Sequence, residues 1–148
     1  MVHDFFMYEA VKEAHKAAEK GEVPVGAVIV AGGRIISRGC NMTEELHDAT
    51  AHAEMIAIRE ACRVQDNWRL KGCSIYVTLE PCPMCAGAIL LSRIGRLVIG
   101  AQDPQRGCCG SIYDIVEDSR LGFTPEVITG VLEDECRKML KDFFKEKR

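Results

Sequence analysis

Residues 73–101 read "CSIYVTLEPCPMCAGAILLSRIGRLVIGA". The run "SIYVTL" (74–79) and the run "RLVIGA" (96–101) are rich in β-branched and aromatic residues, and between them lies "PMCAGAILLSR" (83–93), which is rich in helix formers. Strand, helix and strand in so short a span make two parallel neighbours in one sheet with a helix laid over them. This predicts an α/β fold. Cys82 and Cys85 stand at the first junction as a redox pair, a disulfide staple or half of a metal site, and the choice among the three decides the chemistry.

Upstream, Asp4 is placed to cap a helix whose apolar positions Phe5, Tyr8, Val11, His15 and Ala18 recur at helical spacing, with Gly21 as its stop. "VGAVIVAGGRIISRGC" (25–40) is two β-rich runs around Gly32-Gly33, a two-residue hairpin signal. A polar loop follows over 41–50, and "AHAEMIAIREACRV" (51–64) resumes a helix. Downstream, a Gly-rich loop "QDPQRGCCGS" (102–111) precedes a short helical stretch from Ile112, a strand at "EVITG" (126–130) and a final helix from about Glu133. In that helix Cys136, Leu140 and Phe143 or Phe144 form the apolar side. Five strands alternating with helices predict a three-layer α/β/α sandwich around a five-stranded mixed sheet, mostly parallel after an antiparallel first pair.

The 148 residues suit one domain spanning 1–148, since 47% hydrophobic and 28% charged residues give a globular profile without repeats or low-complexity segments. "MVHDFFMYEAVKEAHK" mixes acidic with apolar residues and has no apolar core of signal-peptide length. No run of about eighteen apolar residues exists to span a membrane. The expected location is cytoplasmic, where the eight cysteines would be reduced and a close pair more often binds metal or does redox chemistry than forms a bridge. A net charge of −3 argues against an indiscriminate nucleic-acid binder. The charge is uneven, however: Arg137, Lys138, Lys141, Lys145, Lys147 and Arg148 outweigh Asp142 and Glu146. That pattern complements a helix dipole, given Glu133, Asp134 and Glu135 at the helix start, and it also suits contact with phosphates.

The cysteine pair has company. "TAHAEM" (50–55) places His52 and Glu54 at the start of a helix that also follows a strand and loop, and strand-to-helix junctions meet at the carboxyl edge of an α/β sheet. Cys82 and Cys85, at i and i+3 on a first helical turn, face one way, and the positive helix end favours thiolates. His52 would be the third ligand. From mid-helix His52 and Glu54 would diverge by about 200°, so His52 must sit at or just outside the helix end, with Asp48 or Thr50 as cap. Two thiolates and an imidazole describe zinc, and three protein ligands leave a fourth position where zinc lowers the pKa of a water toward about 7. Glu54 then fits a proton carrier better than a fourth ligand. The alternative is a closed structural site with Glu54, His47 or another thiol completing it. His-x-Glu followed by Pro-Cys-x-x-Cys is the signature of zinc-dependent deaminases.

From about Phe5 to Phe144 the chain resembles the bacterial tRNA adenosine deaminases of the cytidine-deaminase-like superfamily. The stretches that carry the likeness are "GEVPVGAVIV" (21–30), "TAHAEM", "WRLKGCSIYVTLEPCPMCAGAI" (68–89), "SRIGRLVIGAQDP" (92–104) and "ECRKMLKDFF" (135–144). The resemblance implies a cytidine deaminase-like fold and a homodimer with one Zn²⁺ per subunit. The expected reaction is conversion of adenosine to inosine at the wobble position of a tRNA anticodon stem-loop, typically of an arginine tRNA. It implies that His52, Cys82 and Cys85 hold zinc and that Glu54 moves protons as water adds to C6 and ammonia leaves. It further implies that Asn41 hydrogen-bonds the nucleoside, that Val25 packs on the flipped base and that the Ala53 amide reads its edge. Where the family has an Asn-His pair before its last strand, this chain has Gly122-Phe123. Phe143 and Phe144, with the basic run, would hold RNA by stacking and phosphate contact, which a free base would not need. Asp103, just after the strand "RLVIGA", lies at the same sheet edge; beside a phosphate backbone its carboxylate needs a donor, and a ribose 2′-OH is one. The plainer reading of Asp103-Pro104 is turn initiation. The competing functions are deamination of a free base such as guanine or cytosine and a catalytically idle zinc or RNA-binding relative, against which the presence of Glu54 argues.

Overall fold

The computed structural model describes residues 2–146. Lys147 and Arg148, two of the tail cations, lie outside the described residues. The elements run α1 (Val2–Glu19), β1 (Gly26–Ala31), β2 (Arg34–Cys40), α2 (Thr43–Leu46), α3 (Ala53–Gln65), β3 (Ser74–Leu79), α4 (Pro83–Leu91), β4 (Arg96–Ala101), a 3₁₀ turn (Ser119–Leu121), β5 (Glu126–Ile128) and α5 (Glu133–Glu146). The five strands form one sheet in the order β2-β1-β3-β4-β5. β1 pairs antiparallel with both β2 and β3, while β3–β4 and β4–β5 are parallel. β1 alone is therefore reversed, and its beginning lies at the same edge as the ends of the other four strands.

Strand side chains alternate between two cores, as the pleat requires. Val28, Val30, Tyr76 and Val98 face a cluster that includes Phe6, Met7, Ala10 and Val11 of α1 and Cys136 of α5. Ala27, Ile29, Ile75, Val77, Leu97 and Ile99 face the opposite cluster, with Ala57 and Ile58 of α3 and Ala86 and Ile89 of α4. Helices thus cover both faces of a mixed sheet, the three-layer sandwich expected. The Gly32-Gly33 turn has φ of 57° and 77°, the doubly positive conformation of a two-residue hairpin, which glycine adopts without steric cost.

Four local expectations need correction. α1 buries Phe6, Met7, Ala10, Val11, Ala14 and Ala17, while Phe5 and Tyr8 are exposed. A close approach fixes this face: a Cβ on Gly26 would collide with the backbone of Ala10 and Ala14, so α1 lies against the start of β1 through these two alanines, with Phe6, Met7 and Val11 packed on the same side. Asp4 is inside the first turn of α1 and does not precede it. The 41–50 segment contains the short α2, because the buried Glu22 carboxylate accepts hydrogen bonds from the Glu44 and Glu45 amides at 3.1 and 2.8 Å and so supplies a helix start from a distance. From Ile112 the chain forms turns and an isolated bridge, Cys109 with Asp114, and only Ser119–Leu121 is helical, as a 3₁₀ turn.

Candidate active site

The two strand-to-helix junctions are built alike. His52 is the N-cap of α3, with Glu54 in its first turn; Cys82 is the N-cap of α4, with Pro83 at the first helical position and Cys85 in its first turn. Neither N-cap side chain closes its own helix. Both point to a common spot: His52 Nδ1 is 3.6 Å from the sulfur of Cys82 and 3.6 Å from that of Cys85. All three ligand atoms lie within 4.8 Å of one another. A tetrahedral zinc at about 2.3 Å from sulfur and about 2.0 Å from nitrogen would separate those two atoms by about 3.5 Å, so the trio fits a zinc ion as it stands. No other group of three such residues converges among the described residues. All eight cysteines are free thiols, which removes the staple reading.

The electrostatics agree with a cation site. A hydrogen bond from the Cys85 thiol, offset by burial and helped by His52, holds the Cys82 thiol down to about 4. The same bond, and then burial, push Cys85 up. A divalent cation bound by the two sulfurs displaces the protons that thiols carry. The Cys82 contact, outweighing burial, raises His52. Glu54 is 4% exposed, and desolvation pushes its carboxyl up from the ordinary carboxylate range.

These groups form the floor of an open cleft of about 1240 Å³. Val25, Asn41, His52, Glu54, Cys82, Asp103 and Phe144 line it. Cys85 is buried beneath. Asn41 Oδ1 accepts a hydrogen bond from the Ala53 amide at 2.9 Å, so Asn41 caps α3 in place of Asp48 or Thr50, and the Ala53 N–H is already engaged. Asp48 instead closes a local turn by accepting from the Thr50 amide at 2.8 Å. Val25 sits beside Asn41, whose amide donates to the Val25 carbonyl at 3.2 Å. Asp103 Oδ1 accepts from the Gln105 and Arg106 amides at 3.0 and 3.2 Å, so its carboxylate does initiate the Pro104 turn while still facing the cleft.

Arg137, Leu140, Lys141, Phe144 and Lys145 of α5 form one helical stripe along the cleft. Phe144 is half exposed there, whereas Phe143 packs against it edge-on, with centroids 5.4 Å apart, and does not line the cleft. Cys108 and Cys109 are buried in the core on the α3/α4 side of the sheet. Gly122-Phe123 lies just before β5, whose start pairs with the start of β4, at the sheet edge opposite the zinc ligands.

Two groups escaped sequence reasoning. Glu80 accepts hydrogen bonds from Asp103, Cys109 and Ser111, and Arg106 lines the cleft. An acidic residue at the end of an apolar strand, next to Pro-Cys, was the signal for Glu80. Nothing local marks Arg106.

The family described as cytidine and deoxycytidylate deaminase zinc-binding region matches residues 1–101. The chain is 52% identical over 145 residues to a tRNA-specific adenosine deaminase of Bacillus subtilis, covering 98% of this chain and 90% of the relative. A solved structure from biochemical and structural studies of A-to-I editing by tRNA:A34 deaminases at the wobble position of transfer RNA superposes with a TM-score of 0.89 at 47% identity, covering 92% of this chain and 99% of that one. A guanine deaminase of Bacillus subtilis superposes with a TM-score of 0.66 at 42% identity over 69% of this chain and 66% of that one. With its zinc ligands converged on a cleft whose floor is a buried glutamate, the chain belongs to the tRNA-specific adenosine deaminases of the cytidine and deoxycytidylate deaminase zinc-binding family.

Proposed function

We propose that this protein hydrolyses adenosine to inosine and ammonia at the wobble position of a tRNA anticodon, of arginine tRNA first. The observation that carries this reading is the combination, in one cleft, of the His52, Cys82, Cys85 and Glu54 floor with the α5 stripe of Arg137, Leu140, Lys141, Phe144 and Lys145. Zinc, when bound by His52, Cys82 and Cys85, acts as a Lewis acid that raises the acidity of a water molecule. Glu54 takes a proton from the attacking water and delivers it to the leaving amino group, so that C6 gains oxygen as the C–N bond breaks. Val25 offers an apolar surface to the base. Asn41 fixes the start of α3 and, through its side-chain nitrogen, can meet the nucleoside. With its N–H taken by Asn41, Ala53 meets the base edge only if Asn41 shifts.

The cleft exceeds the 300–1,000 Å³ that suffices for small ligands, and its far wall presents cations and an aromatic face. These suit a nucleic-acid strand: phosphates meet Arg137, Lys141 and Lys145, and a base stacks on Phe144, with Phe143 supporting it from behind. Asp103 retains Oδ2 for a ribose 2′-OH, which would favour RNA over DNA. The whole chain, 1–148, then acts as one deaminase unit.

A homodimer fits the surface. α4 contains no charged residue on any face, and its Leu91 is 71% exposed. A helix apolar all round is normally covered, and a second copy is the partner proposed. Leu91→Lys is expected to shift sedimentation toward the monomer. No described helix is long and apolar enough to cross a membrane, and a cytoplasmic location suits a tRNA substrate.

The likeness to a guanine deaminase favours a second reading, deamination of a free base. Ammonia release from an anticodon stem-loop carrying the wobble adenosine, compared with free guanine, cytosine and adenosine, separates the two. At sub-saturating concentrations, turnover of the stem-loop at least about a hundredfold faster is expected, since contacts remote from the reacting base strengthen binding only of the substrate that reaches α5. Preferential turnover of guanine or cytosine would overturn the proposal.

A further inference from the structure

Glu80 follows the last residue of β3, stands two residues before Cys82, is 3% exposed, and has no ion-pair partner among the described residues. Its two oxygens divide their work. Oε1 accepts from the Asp103 amide at 3.0 Å and from the Ser111 hydroxyl; Oε2 accepts from the Cys109 and Ser111 amides at 2.9 and 3.0 Å. Gly107 lies against the carboxylate so closely that a Cβ there would overlap it. The neighbouring Pro81 carbonyl accepts from the Cys108 amide at 2.9 Å. One buried carboxylate and the carbonyl beside it thus gather both ends and the middle of the 103–111 loop. The outer side of that loop, Gln102 through Arg106, is a wall of the cleft.

A buried carboxylate with no cation partner is costly unless its acceptor capacity is filled. Here three backbone amides and one hydroxyl of a single loop fill it, so the arrangement does something for the loop.

We infer that Glu80 is a positioning residue for the RNA strand: its carboxylate ties the 103–111 loop to the strand end that carries Cys82 and so fixes where Asp103 and Arg106 meet the substrate relative to the zinc ligands. This rests on the proposed RNA-deaminating function. Glu80 touches no reacting atom, and its effect belongs in substrate binding.

The test compares Glu80→Gln, Glu80→Ala and Gly107→Ala in zinc-loaded protein. The glutamine amide oxygen can still accept at the Oε2 position, but its NH₂ faces the Asp103 amide, so Glu80→Gln releases the cleft end of the loop selectively. Gly107→Ala pushes the same loop off an intact carboxylate. A loop that no longer holds its substrate-facing groups in place weakens binding, and we expect KM for the stem-loop to rise about tenfold in Glu80→Gln and Gly107→Ala and more in Glu80→Ala. kcat per bound zinc should stay within about threefold, since the loop contributes no proton transfer. Hydrogen exchange of the Asp103 amide should accelerate in both Glu80 variants, and that of the Cys109 and Ser111 amides in Glu80→Ala, while exchange in β3 and β4 does not. A lower melting temperature with unchanged KM and unchanged loop exchange would overturn the inference, because a merely structural role predicts that result. Loss of zinc with the KM defect would overturn it too, by placing the effect on Cys82. Should Glu80→Ala not fold, Ser111→Ala, which removes one donor and leaves the carboxylate, must still raise KM by about twofold to threefold. If the wild type releases no ammonia from the stem-loop, the proposed function fails, and the exchange experiment still decides whether Glu80 holds the loop.

Discussion

The floor and the far wall of the cleft are made by opposite means. The floor consists of two strand-to-helix junctions, with ligands at N-cap and first-turn positions whose directions the backbone dictates. The far wall is one face of α5, whose long side chains reach over open space from a helix that buries only Cys136 completely. Rigid junctions suit chemistry, which demands fixed geometry. A helix lined with cations and an aromatic ring suits a charged, flexible strand, where many contacts of modest strength add up. The two regions should therefore fail differently when altered.

The largest expected effects separate the groups of the floor. Cys85→Ser should lose zinc and activity together, whereas Glu54→Ala should keep zinc and fold while kcat falls by about 10²–10⁴. Metal analysis of the two purified variants checks this. Equal zinc loss in both would make Glu54 a ligand, return the closed structural site to contention and erase the distinction between floor and wall.

Changes in the far wall should be smaller and should appear in binding. Lys141→Gln with Lys145→Gln should weaken stem-loop binding and lower the magnitude of its salt slope by about 0.7 for each phosphate that is no longer neutralised. A titration of affinity against salt measures it, and an unchanged slope would leave these cations only their helix-dipole role. Phe144→Ala should cost about 1–3 kcal/mol of binding, while Phe143→Ala should act mainly on stability. Reversed results would place the stacking face on the wrong ring.

Asp103 sharpens the comparison from the loop side. Asp103→Asn keeps an oxygen for the Gln105 and Arg106 amides and removes the charge. The RNA-to-DNA rate ratio on matched hairpins should relax, chiefly through better use of DNA, by an amount corresponding to about 1–3 kcal/mol. An unchanged ratio with zinc and fold intact would reduce Asp103 to a turn residue.

The smallest effect is a pH dependence of stability. Glu80 has a folded-state carboxyl below its ordinary range. Its contribution is therefore complete above the unfolded carboxylate value and is lost as pH falls through the lower folded value. The stability gap between wild type and Glu80→Gln should close on acidification from neutral pH, as read by denaturant unfolding. A gap that is constant with pH would mean that the charge of Glu80 contributes nothing.

Much of this was legible in the sequence, and the exceptions share a cause. The hairpin, the β3–α4–β4 unit and the three zinc ligands follow from short-range patterns: paired glycines, alternating apolar runs, and N-cap spacing that turns side chains to one side. The buried face of α1 did not follow, because it is fixed by the close contact of Ala10 and Ala14 with Gly26, a residue remote in sequence. The cap of α3 came from Asn41, twelve residues before Ala53 and brought close by the β2 edge. Glu22 and Glu80 serve amides of remote segments, and local spacing carries no trace of such partners. Phe144, not Phe143, facing the cleft is a matter of one helical position, which depends on how α5 docks through Cys136.

The claim that the floor performs the reaction while the far wall selects the substrate is tested most directly by single-turnover inosine formation from the anticodon stem-loop, with wild type and the Lys141→Gln, Lys145→Gln double variant. As protein concentration rises, both should reach the same limiting rate, the variant requiring about tenfold or more protein to do so. A lower limiting rate in the variant, with zinc content unchanged, would contradict the separation.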